Sequence, residues 1–283
     1  MAATSVALSV ITVTHGRRDL LLQKAATIAA QTLPKSAFEW RVAVNGDVDG
    51  TGEALRAWAG REPKVRLQIL ASDRNEAIGV ARNRAISDAS GDILYLSDDD
   101  CLLAHDTLER HLACQEERPA VWLGRVVFRA DGRDEPWTPG PNWWQLNGAN
   151  ASLPAAAVAE VGGFDDALEG YGGEDLLLGW RLHRAGAPYG VCSAAKVVHL
   201  GPNPVAGADL GKARQAGANA VRIAARHPEL ALRLGVHPLS LAGKRVLYGA
   251  PWSGLLARIG GGRIRYERAY FRGAVEHLEA RNP

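Results

Sequence analysis

The sequence predicts an α/β fold built on a mostly parallel sheet with helices on both faces. Over the first hundred residues, short apolar and β-branched segments alternate with segments of helical periodicity. Such alternation is typical of parallel strands joined by right-handed helical crossovers. A mainly helical, Ala- and Arg-rich segment begins near residue 204 and predicts a C-terminal appendage to that sheet.

The first half of the sheet is the most regular part of the pattern. Strands are expected at residues 7–13, 40–44, 65–70 and 93–96, and helices at residues 19–31, 52–59 and 76–89. The turn-rich segment 45–51 separates the second strand from its helix and is suited to cap it. These elements predict a Rossmann-like arrangement, in which ligands bind beyond the carboxyl ends of the strands.

The second half alternates less regularly. Helices are expected at residues 105–116, 154–161 and 174–185, and strands at residues 121–128, 189–192 and 196–200. Residues 130–141 are polar and rich in Gly and Pro, which predicts a mobile loop. Helical segments are then expected up to about residue 233 and over residues 236–257 and 263–280.

Composition and cysteine usage narrow the class of protein. The chain of 283 residues has a formal net charge of +2 and 23% charged residues, which gives no sign of a nucleic-acid partner. Three cysteines, Cys101, Cys114 and Cys192, lack paired or zinc-binding spacing and indicate a reducing, cytoplasmic compartment. Residues 6–13 are interpreted as a first strand rather than a signal peptide, and no apolar run is long enough to span a bilayer.

The C-terminal extension, residues 204–283, differs in charge from the rest of the chain. It contains 13 Lys and Arg residues against 5 Asp and Glu residues. This asymmetry is compatible with an anionic partner, such as the inner face of the cell membrane or a phosphate-bearing substrate, and equally with a solvated basic face. Interleaved apolar and aromatic residues, among them Tyr248, Trp252, Tyr266 and Tyr270, fit peripheral membrane contact, packing on the preceding domain, or a homodimer contact.

Three consecutive carboxylates follow directly on the apolar strand at residues 93–96. We call Asp98, Asp99 and Asp100 the acidic triplet. Carboxylates so close raise one another's pKa unless a cation neutralises them, and Mg²⁺ or Mn²⁺ prefers clustered oxygen ligands. The triplet alone is also compatible with a solvated turn that caps the next helix. Because Thr14 and Asn45 follow other strands at the same edge, the pattern favours a ligand site.

Further motifs extend this pattern in a recognisable order. They are Thr14-His15-Gly16-Arg17, Asn45-Gly46 with Asp49-Gly50-Thr51, Asn75 with Gly79-x-x-Arg82-Asn83-x-Ala85-Ile86, Ser97 to Cys101, Gly148-Ala149-Asn150, Val161-Gly162-Gly163-Phe164-Asp165, and Gly172-Gly173-Glu174-Asp175. Over residues 6–200 they resemble the family 2 inverting glycosyltransferases. The resemblance implies the nucleotide-diphospho-sugar transferase (GT-A) fold, with a catalytic domain at residues 1–203 divided near residue 100 into a nucleotide-binding and an acceptor half.

The resemblance also implies an activity. The expected enzyme is a hexosyltransferase-type glycosyltransferase that moves a sugar, with inversion, from a nucleoside-diphosphate sugar to a hydroxyl group. The acceptor would be a glycan or a lipid-linked molecule in polysaccharide or glycoconjugate synthesis. A divalent metal, Mn²⁺ or Mg²⁺, would stabilise the departing diphosphate.

Metal ligands and a base are implied for individual residues. Asp98 and Asp100 match the family's Asp-x-Asp element, in which Asp98 would contact ribose or metal and Asp100 would ligate the metal. Asp99 points to the opposite face of an extended segment, which favours a structural role. His199 resembles a histidine that completes the metal site and would favour Mn²⁺, although a core or loop histidine is the simpler alternative.

The pair Glu174-Asp175 resembles the family's acceptor-side acidic element. There Asp175 would be the base that deprotonates the acceptor hydroxyl, and Glu174 would bind the acceptor or sugar. Capping of a helix N-terminus is the alternative role for such a pair. Other residues implied on the acceptor side are Trp143, Trp144, Asn147, Gly148, Asn150 and Gly173.

The nucleotide side departs from the family at one position. Donor contacts are implied for Thr14, His15, Arg17, Asn45, Asp73, Asn75, Gly79, Arg82, Asp98 and Asp99. Many relatives carry an Asp before the Asn-Gly motif to hold uracil, but this chain has Val44. The identity of the base therefore stays open between uridine, with Asp47 or Asp73 compensating, and a guanine or thymine nucleotide. Arg82 is expected either to neutralise the diphosphate or to lie exposed on its helix.

The motifs argue against three other functions. A sugar-nucleotide pyrophosphorylase would need a glycine-rich, basic phosphate loop after the first strand, for which residues 14–17 are a poor match. A non-catalytic sugar-nucleotide-binding module would leave the metal-site and base residues without a role. A dinucleotide oxidoreductase is excluded because no G-x-G-x-x-G motif follows the first strand.

Overall fold

The computed structural model describes residues 6–201, 209–249 and 261–281. The chain forms two compact units: the first takes in the residues up to Asp165 together with Asp175–Gly201, and the second takes in Asp166–Glu174 and the C-terminal part. The boundary expected at residues 203/204 and the aromatic residue Trp252 lie outside the described residues. No sequence pattern predicted that residues 166–174 would separate from the unit that surrounds them in the chain.

In the described part of the chain, nine strands of the first unit form one sheet. They are β1 (Leu8–Thr14), β2 (Phe38–Asn45), β3 (Arg66–Ser72), β4 (Ile93–Leu96), β5 (Cys101–Leu103), β6 (Val121–Ala130), β7 (Arg133–Trp137), β8 (Ala151–Pro154) and β9 (Tyr189–Leu200). The strand order is β3-β2-β1-β4-β8-β6-β9-β5, and β7 pairs with β6 at the side.

The two halves of the sheet differ in strand direction. β3, β2, β1 and β4 are all parallel, as the strand–helix alternation predicts. Beyond β4 the sheet is mixed, because β8 runs antiparallel to both β4 and β6, whereas β6 and β9 are parallel. The α/β fold class is thus confirmed. Strands β5 and β8 were not predicted because segments of three and four residues carry too little periodicity.

The loop predicted at residues 130–141 is a β-hairpin in its first half, which corrects the prediction. Asp131 and Gly132 have positive φ values of 51° and 71°, and the strand pairing places Ala130 opposite Arg133. Two central residues with positive φ form the tight turn that matches the twist of hairpin strands, and Asp-Gly favours it. The dipeptide was therefore a hairpin signal that the overall Gly and Pro content hid.

Nine helices are described. They are α1 (Arg18–Ala29), α2 (Thr51–Arg61), α3 (Ile78–Ile86), α4 (Thr107–Glu117), α5 (Ala155–Glu160), α6 (Glu174–Arg184), α7 (Leu210–Arg226), α8 (Pro238–Gly249) and α9 (Gly261–Arg281). One core cluster joins the sheet to α1, α2 and α4, and another joins it to α3, α5 and α6. Helices therefore cover both faces of the sheet, as predicted.

A buried polar network connects α4 with the middle of the sheet. Asn150 Oδ1 accepts hydrogen bonds from the Tyr95 hydroxyl at 2.8 Å and from His111 Nε2 at 2.9 Å. His111 Nδ1 then accepts from Ser152 Oγ at 2.9 Å, and Gln115 Nε2 donates to the same hydroxyl. Because these side chains are fully buried or nearly so, the network holds His111 in its neutral form.

We expect the free energy of unfolding to decrease as the pH falls from 6.5 towards 4. Burial lowers the pKa of His111 to about 4, whereas an exposed histidine titrates near 6.5. The unfolded chain therefore binds this proton at a higher pH than the native protein, and stability is lost on acidification by up to about 3 kcal/mol. Denaturant titrations across this range check the effect. The His111→Gln variant should be less stable but should lack this component, so parallel curves for the two proteins would contradict the assignment.

The second unit has a helical core of its own. Ala220 and Val221 of α7 pack with Ala274 of α9 and with Val236. On α8, in contrast, Leu239, Val246 and Leu247 are exposed. No helix of the described residues has both the length and the apolar character needed to cross a bilayer. The membrane, packing and dimer roles considered for the extension stay predictions.

Candidate active site

The polar residues at the ends of the parallel strands meet along one edge of the sheet. β1 ends at Thr14, β2 at Asn45 and β3 at Ser72, and the acidic triplet begins two residues after β4. All four strands point the same way, so their carboxyl ends lie side by side. This edge is where the sequence placed the donor site.

Asn45 forms hydrogen bonds with the loop that follows β3. Its Nδ2 donates to Asn75 Oδ1 and to the Glu76 carbonyl at 2.9 Å each, and its Oδ1 accepts from the Glu76 amide at 3.1 Å. His15 Nδ1 donates to the Asn45 carbonyl at 2.7 Å. Asn45, Asn75 and His15 therefore hold one another, and their contacts described here are structural.

A second predicted donor residue, Asp73, lies in an open depression beside β3. The depression has a volume of about 470 Å³ and is lined by residues 71–74 together with Glu76 and Arg84. Arg84 pairs with Glu76 there. Gly79, also predicted on the donor side, is buried within α3. The depression therefore presents carboxylates and guanidinium groups at the end of β3.

Arg17 neutralises two members of the acidic triplet. Its Nη1 lies 3.0 Å from Asp99 Oδ1 and 2.7 Å from Asp100 Oδ2. Burial, followed by the charge of Asp100, raises the pKa of Asp99 to about 6, and Arg17 opposes this shift. Asp99 is buried and pairs with Arg17, which fits the structural role predicted for it.

Arg82 joins the triplet to the predicted base. Its Nη2 lies 3.0 Å from Asp98 Oδ1, and its Nη1 lies 2.6 Å from Asp175 Oδ1. The side chain is only 5% exposed, so the expectation of an exposed helical arginine is wrong. One guanidinium thus connects carboxylates that are 77 residues apart in the chain, from α6 and from the end of β4.

Gly148 completes the surroundings of Asp175. Its backbone amide donates to Asp175 Oδ2 at 2.9 Å, so both carboxylate oxygens accept a hydrogen bond. A Cβ atom on residue 148 would lie 2.0 Å from Arg82 Nη2 and 3.0 Å from Asp98 Oδ1. Only glycine lets the backbone come this close to the ion pairs.

A buried cation that sequence reasoning missed lies beneath the triplet. Lys24 Nζ donates to Ser97 Oγ at 2.6 Å and to the Cys101 carbonyl at 3.2 Å. Burial lowers the pKa of this ammonium group to about 8, against the opposing charges of the triplet, so it stays protonated at neutral pH. The available signal was a lysine on the apolar stripe of α1, between Leu21 and Ile28.

Asp100, Cys101 and His199 are three potential metal ligands that lie close together. Their ligand atoms lie within 4.8 Å of one another, and His199 Nε2 is 3.3 Å from Asp100 Oδ1. Burial and the nearby carboxylates raise the pKa of the Cys101 thiol well above its ordinary value, which makes Cys101 a poor ligand. His199 Nδ1 is buried and has no hydrogen-bond partner among the described residues. A carboxylate and an imidazole suit Mn²⁺, so the donor set fits the predicted metal.

The predicted acceptor residues separate into different surroundings. Trp143 is buried and Trp144 is 41% exposed, and their rings meet edge to face at 5.6 Å. Both tryptophans, with His183 and Tyr189, line a cavity of about 430 Å³ near the C-terminal end of α6. Asn147 stabilises its own turn by donating to the Gln145 carbonyl and accepting from the Ala149 amide.

Asn150 is a correction to the predicted acceptor set. The side chain is fully buried, and its carboxamide bonds Tyr95 and His111 on the oxygen and the carbonyls of Arg125 and Ala195 on the nitrogen. Its hydrogen-bonding capacity is therefore used within the core. Glu174 is also buried, at the start of α6, and Gly173 precedes it in the second unit.

The fold and this edge of the sheet define a glycosyltransferase of the GT-A type. The sequence family described as glycosyl transferase family 2 matches residues 9–157, which is more than half of the chain. The protein belongs to this family. The match includes the triplet and Arg82.

Individual relatives agree with the family. Validoxylamine A glucosyltransferase of Streptomyces hygroscopicus subsp. jinggangensis is 28% identical, over 64% of this chain and 52% of the relative. The chain thus spans about half the length of the validoxylamine A glucosyltransferases it matches.

Solved structures show the same fold. Mannosyltransferase PcManGT from Pyrobaculum calidifontis, in complex with GDP-Man and Mn²⁺, superposes with a TM-score of 0.65 at 19% identity, covering 96% of this chain and 86% of that one. S. aureus TarS residues 1–349 in complex with UDP gives a TM-score of 0.57 at 17% identity, covering 97% and 92%.

Proposed function

We propose that the protein transfers a sugar from a nucleoside-diphosphate sugar to an acceptor hydroxyl, with inversion at the anomeric carbon. The observation that carries the proposal is the bridge through Arg82, which binds Asp98 of the acidic triplet and Asp175 with the same guanidinium. Sugar transfer requires the donor diphosphate and the base for the acceptor to lie next to each other, and Arg82 contacts a proposed residue of each. The names of the relatives support the same class of reaction.

Asp100 and His199 would hold the divalent metal, with Asp98 close by in the same segment. When bound, Mn²⁺ or Mg²⁺ would stabilise the negative charge of the departing diphosphate as a Lewis acid. Arg17 and Lys24 each place a positive charge near the triplet, which offsets part of the repulsion between its carboxylates. These two cations therefore help to hold the three carboxylates together at the end of β4.

Asp175 is the proposed base. Arg82 and the Gly148 amide each donate to a different carboxylate oxygen, which fixes the plane of the group. A carboxylate oxygen can accept more than one hydrogen bond, so Asp175 could also bind the acceptor hydroxyl, which would give up its proton as its oxygen attacks the anomeric carbon. The bond from that carbon to the diphosphate oxygen breaks on the opposite face, which gives inversion.

Arg82 has a second role in this proposal. A nucleoside diphosphate carries charge that competes with Asp175 for the guanidinium, and arginine binds phosphate oxygens well in forked geometry. Donor binding would therefore draw Arg82 towards the diphosphate. Asp175 would then lose one of its hydrogen-bond donors when the nucleotide sugar is bound.

The acceptor is proposed to be a glycan or a lipid-linked molecule. Exposed Trp144 offers an aromatic face of the kind on which sugar rings stack. The 3₁₀ turn that carries it, Trp143–Gln145, ends three positions before Gly148, whose amide binds Asp175. An acceptor ring on Trp144 would thus be held by the same segment that fixes the base.

A thermal-shift panel tests the donor site. GDP, UDP, TDP, GDP-mannose and UDP-GlcNAc are each added with and without Mn²⁺, and we expect at least one to raise the melting midpoint by several degrees only when the metal is present, because ligands that bind the native state stabilise it. The control is the same panel with AMP in place of the diphosphates. If no nucleoside diphosphate or nucleotide sugar shifts the midpoint, the donor-site proposal fails.

A further inference from the structure

The segment that leads into the proposed base is held by the C-terminal extension. Residues 166–174 belong to the second unit, together with α7, although in the chain they lie between elements of the first unit. We call residues 169–173 the glycine loop, because three of its five residues are glycine. The loop passes directly into Glu174 and Asp175, so its backbone position decides where α6 begins.

Asn219 of α7 is the centre of this attachment. Its Nδ2 donates to the carbonyls of Glu169 and Gly172 at 2.8 Å each, with the Tyr171 carbonyl at 3.4 Å. Its Oδ1 accepts from the Glu169 amide at 3.3 Å. Asn219 is only 1% exposed, so a single buried carboxamide satisfies several polar groups of the loop backbone.

Close backbone packing accompanies these hydrogen bonds. Gly172 has a φ of 94°, and a Cβ atom there would lie 2.7 Å from Ala216 Cβ on α7. Gly173 has a φ of 92°, and its Cβ would lie 3.0 Å from Ile223 Cδ1. The two glycines thus allow the loop to lie directly on one face of the helix.

Charged groups on the same face of α7 contact the side chains of Glu169 and Tyr171 in the glycine loop. Arg222 Nη2 pairs with Glu169 Oε2 at 2.5 Å, while Arg222 Nη1 donates to Asn219 Oδ1 at 3.0 Å. Lys212 Nζ lies 4.7 Å from the centre of the Tyr171 ring. Arg222 therefore also fixes which way the Asn219 carboxamide faces.

From these contacts we propose that Asn219 is a positioning residue for catalysis, which fixes the glycine loop and thereby the start of α6 that carries Glu174 and Asp175. The inference rests on the proposed function of Asp175 as base. It gives the C-terminal extension a role in the reaction, because Asn219, Arg222 and Lys212 all belong to α7. A small displacement of a catalytic group is enough to slow a reaction strongly.

The test compares Asn219→Ala and Asn219→Asp with the wild-type protein. Asp keeps the size of the side chain but replaces the donor nitrogen with an oxygen that repels the loop carbonyls. The matched control is Arg214→Ala, which removes an exposed ion pair between α7 and Glu276 of α9 without touching the loop. Arg222→Ala is a milder second variant, since it removes the group that orients Asn219 and leaves the buried carboxamide in place.

Two measurements are made on all four variants. Amide hydrogen exchange of the peptide covering residues 166–174 should speed up about tenfold or more in the Asn219 variants, less in Arg222→Ala, and not in Arg214→Ala. The second measurement is the release of nucleoside diphosphate from GDP-mannose and UDP-GlcNAc, with Mn²⁺ and with validoxylamine A or water as acceptor. In the Asn219 variants, kcat should fall about 10- to 100-fold while the KM for the sugar donor stays unchanged.

The results that would contradict the role of Asn219 differ from those that would contradict the proposed function. Unchanged exchange at residues 166–174 in Asn219→Asp, or faster exchange with unchanged kcat, overturns the positioning role. If an Asn219 variant does not fold, the same criteria apply to Arg222→Ala. A wild-type protein that binds no donor and releases no diphosphate overturns the proposed function, while the exchange measurement still reports whether Asn219 holds the loop.

Discussion

Replacing Asp175 with Asn is expected to lower the rate of sugar transfer by about 10²- to 10⁴-fold. The carboxamide cannot take a proton from the acceptor hydroxyl at neutral pH, whereas the carboxylate can. Both oxygens of Asp175 accept hydrogen bonds, from Arg82 and from the Gly148 amide, so the Asn amino group must face one of these donors. Turnover measured as nucleoside diphosphate release, together with the Kd of the nucleotide in the presence of Mn²⁺, checks the effect.

Nucleotide affinity should stay the same or rise in Asp175→Asn, since a neutral side chain competes less with the diphosphate for Arg82, and Arg82 keeps its contact with Asp98. Asp88→Asn makes the same chemical change at an exposed position after α3 and should retain wild-type turnover. Near-normal turnover by Asp175→Asn would show that another group removes the proton. Loss of nucleotide binding along with turnover would instead indicate that the substitution disturbs Arg82.

Replacing Asp100 with Ala is expected to abolish the metal-dependent part of nucleotide binding. Asp100 lies 3.3 Å from His199 Nε2 and 2.7 Å from Arg17 Nη1, so the substitution removes the carboxylate that faces the imidazole. Arg17 keeps its contact with Asp99, which limits damage to the rest of the triplet. The Mn²⁺-dependent rise in melting midpoint caused by the best-binding nucleotide should disappear.

Asp92→Ala, before β4, serves as the matched control for this substitution and should keep the Mn²⁺-dependent shift. A full shift in Asp100→Ala would remove Asp100 from the metal site. A reduced shift in His199→Ala, measured in the same assay, would place the imidazole in that site together with Asp100.

For the acidic triplet and for Asp175, the sequence predicted position better than it predicted hydrogen-bond partners. The triplet follows a strongly apolar strand, so its place at the edge of the sheet was predictable from pattern alone. The partners of these carboxylates were not predictable in that way. Arg17 is 82 residues from Asp99, and Arg82 is 93 residues from Asp175, and no local periodicity links positions so far apart.

Asn150 was misassigned from a motif, whereas the role of Lys24 was missed because hydrophobic pattern does not identify partners. Asn150 follows a glycine in a motif that resembles an acceptor-side element, yet strand pairing around β8 turns its side chain into the core. Lys24 lies on the apolar stripe of α1, a position where the pattern itself gives no partner for a charged group. Only the position of Ser97 and Cys101 shows that it is a buried cation beneath the triplet.

By itself, the sequence determined the α/β fold class, the parallel direction of the first strands and the edge at which their polar ends meet. These follow from hydrophobic periodicity and from the rule that parallel strands share a carboxyl edge. Only the tertiary structure decided that Arg82 joins Asp98 to Asp175, that Lys24 lies under the triplet, and that Asn219 holds the glycine loop. The physical reason is that buried polar groups take whichever partner the packing brings within hydrogen-bond distance, and packing depends on the whole chain.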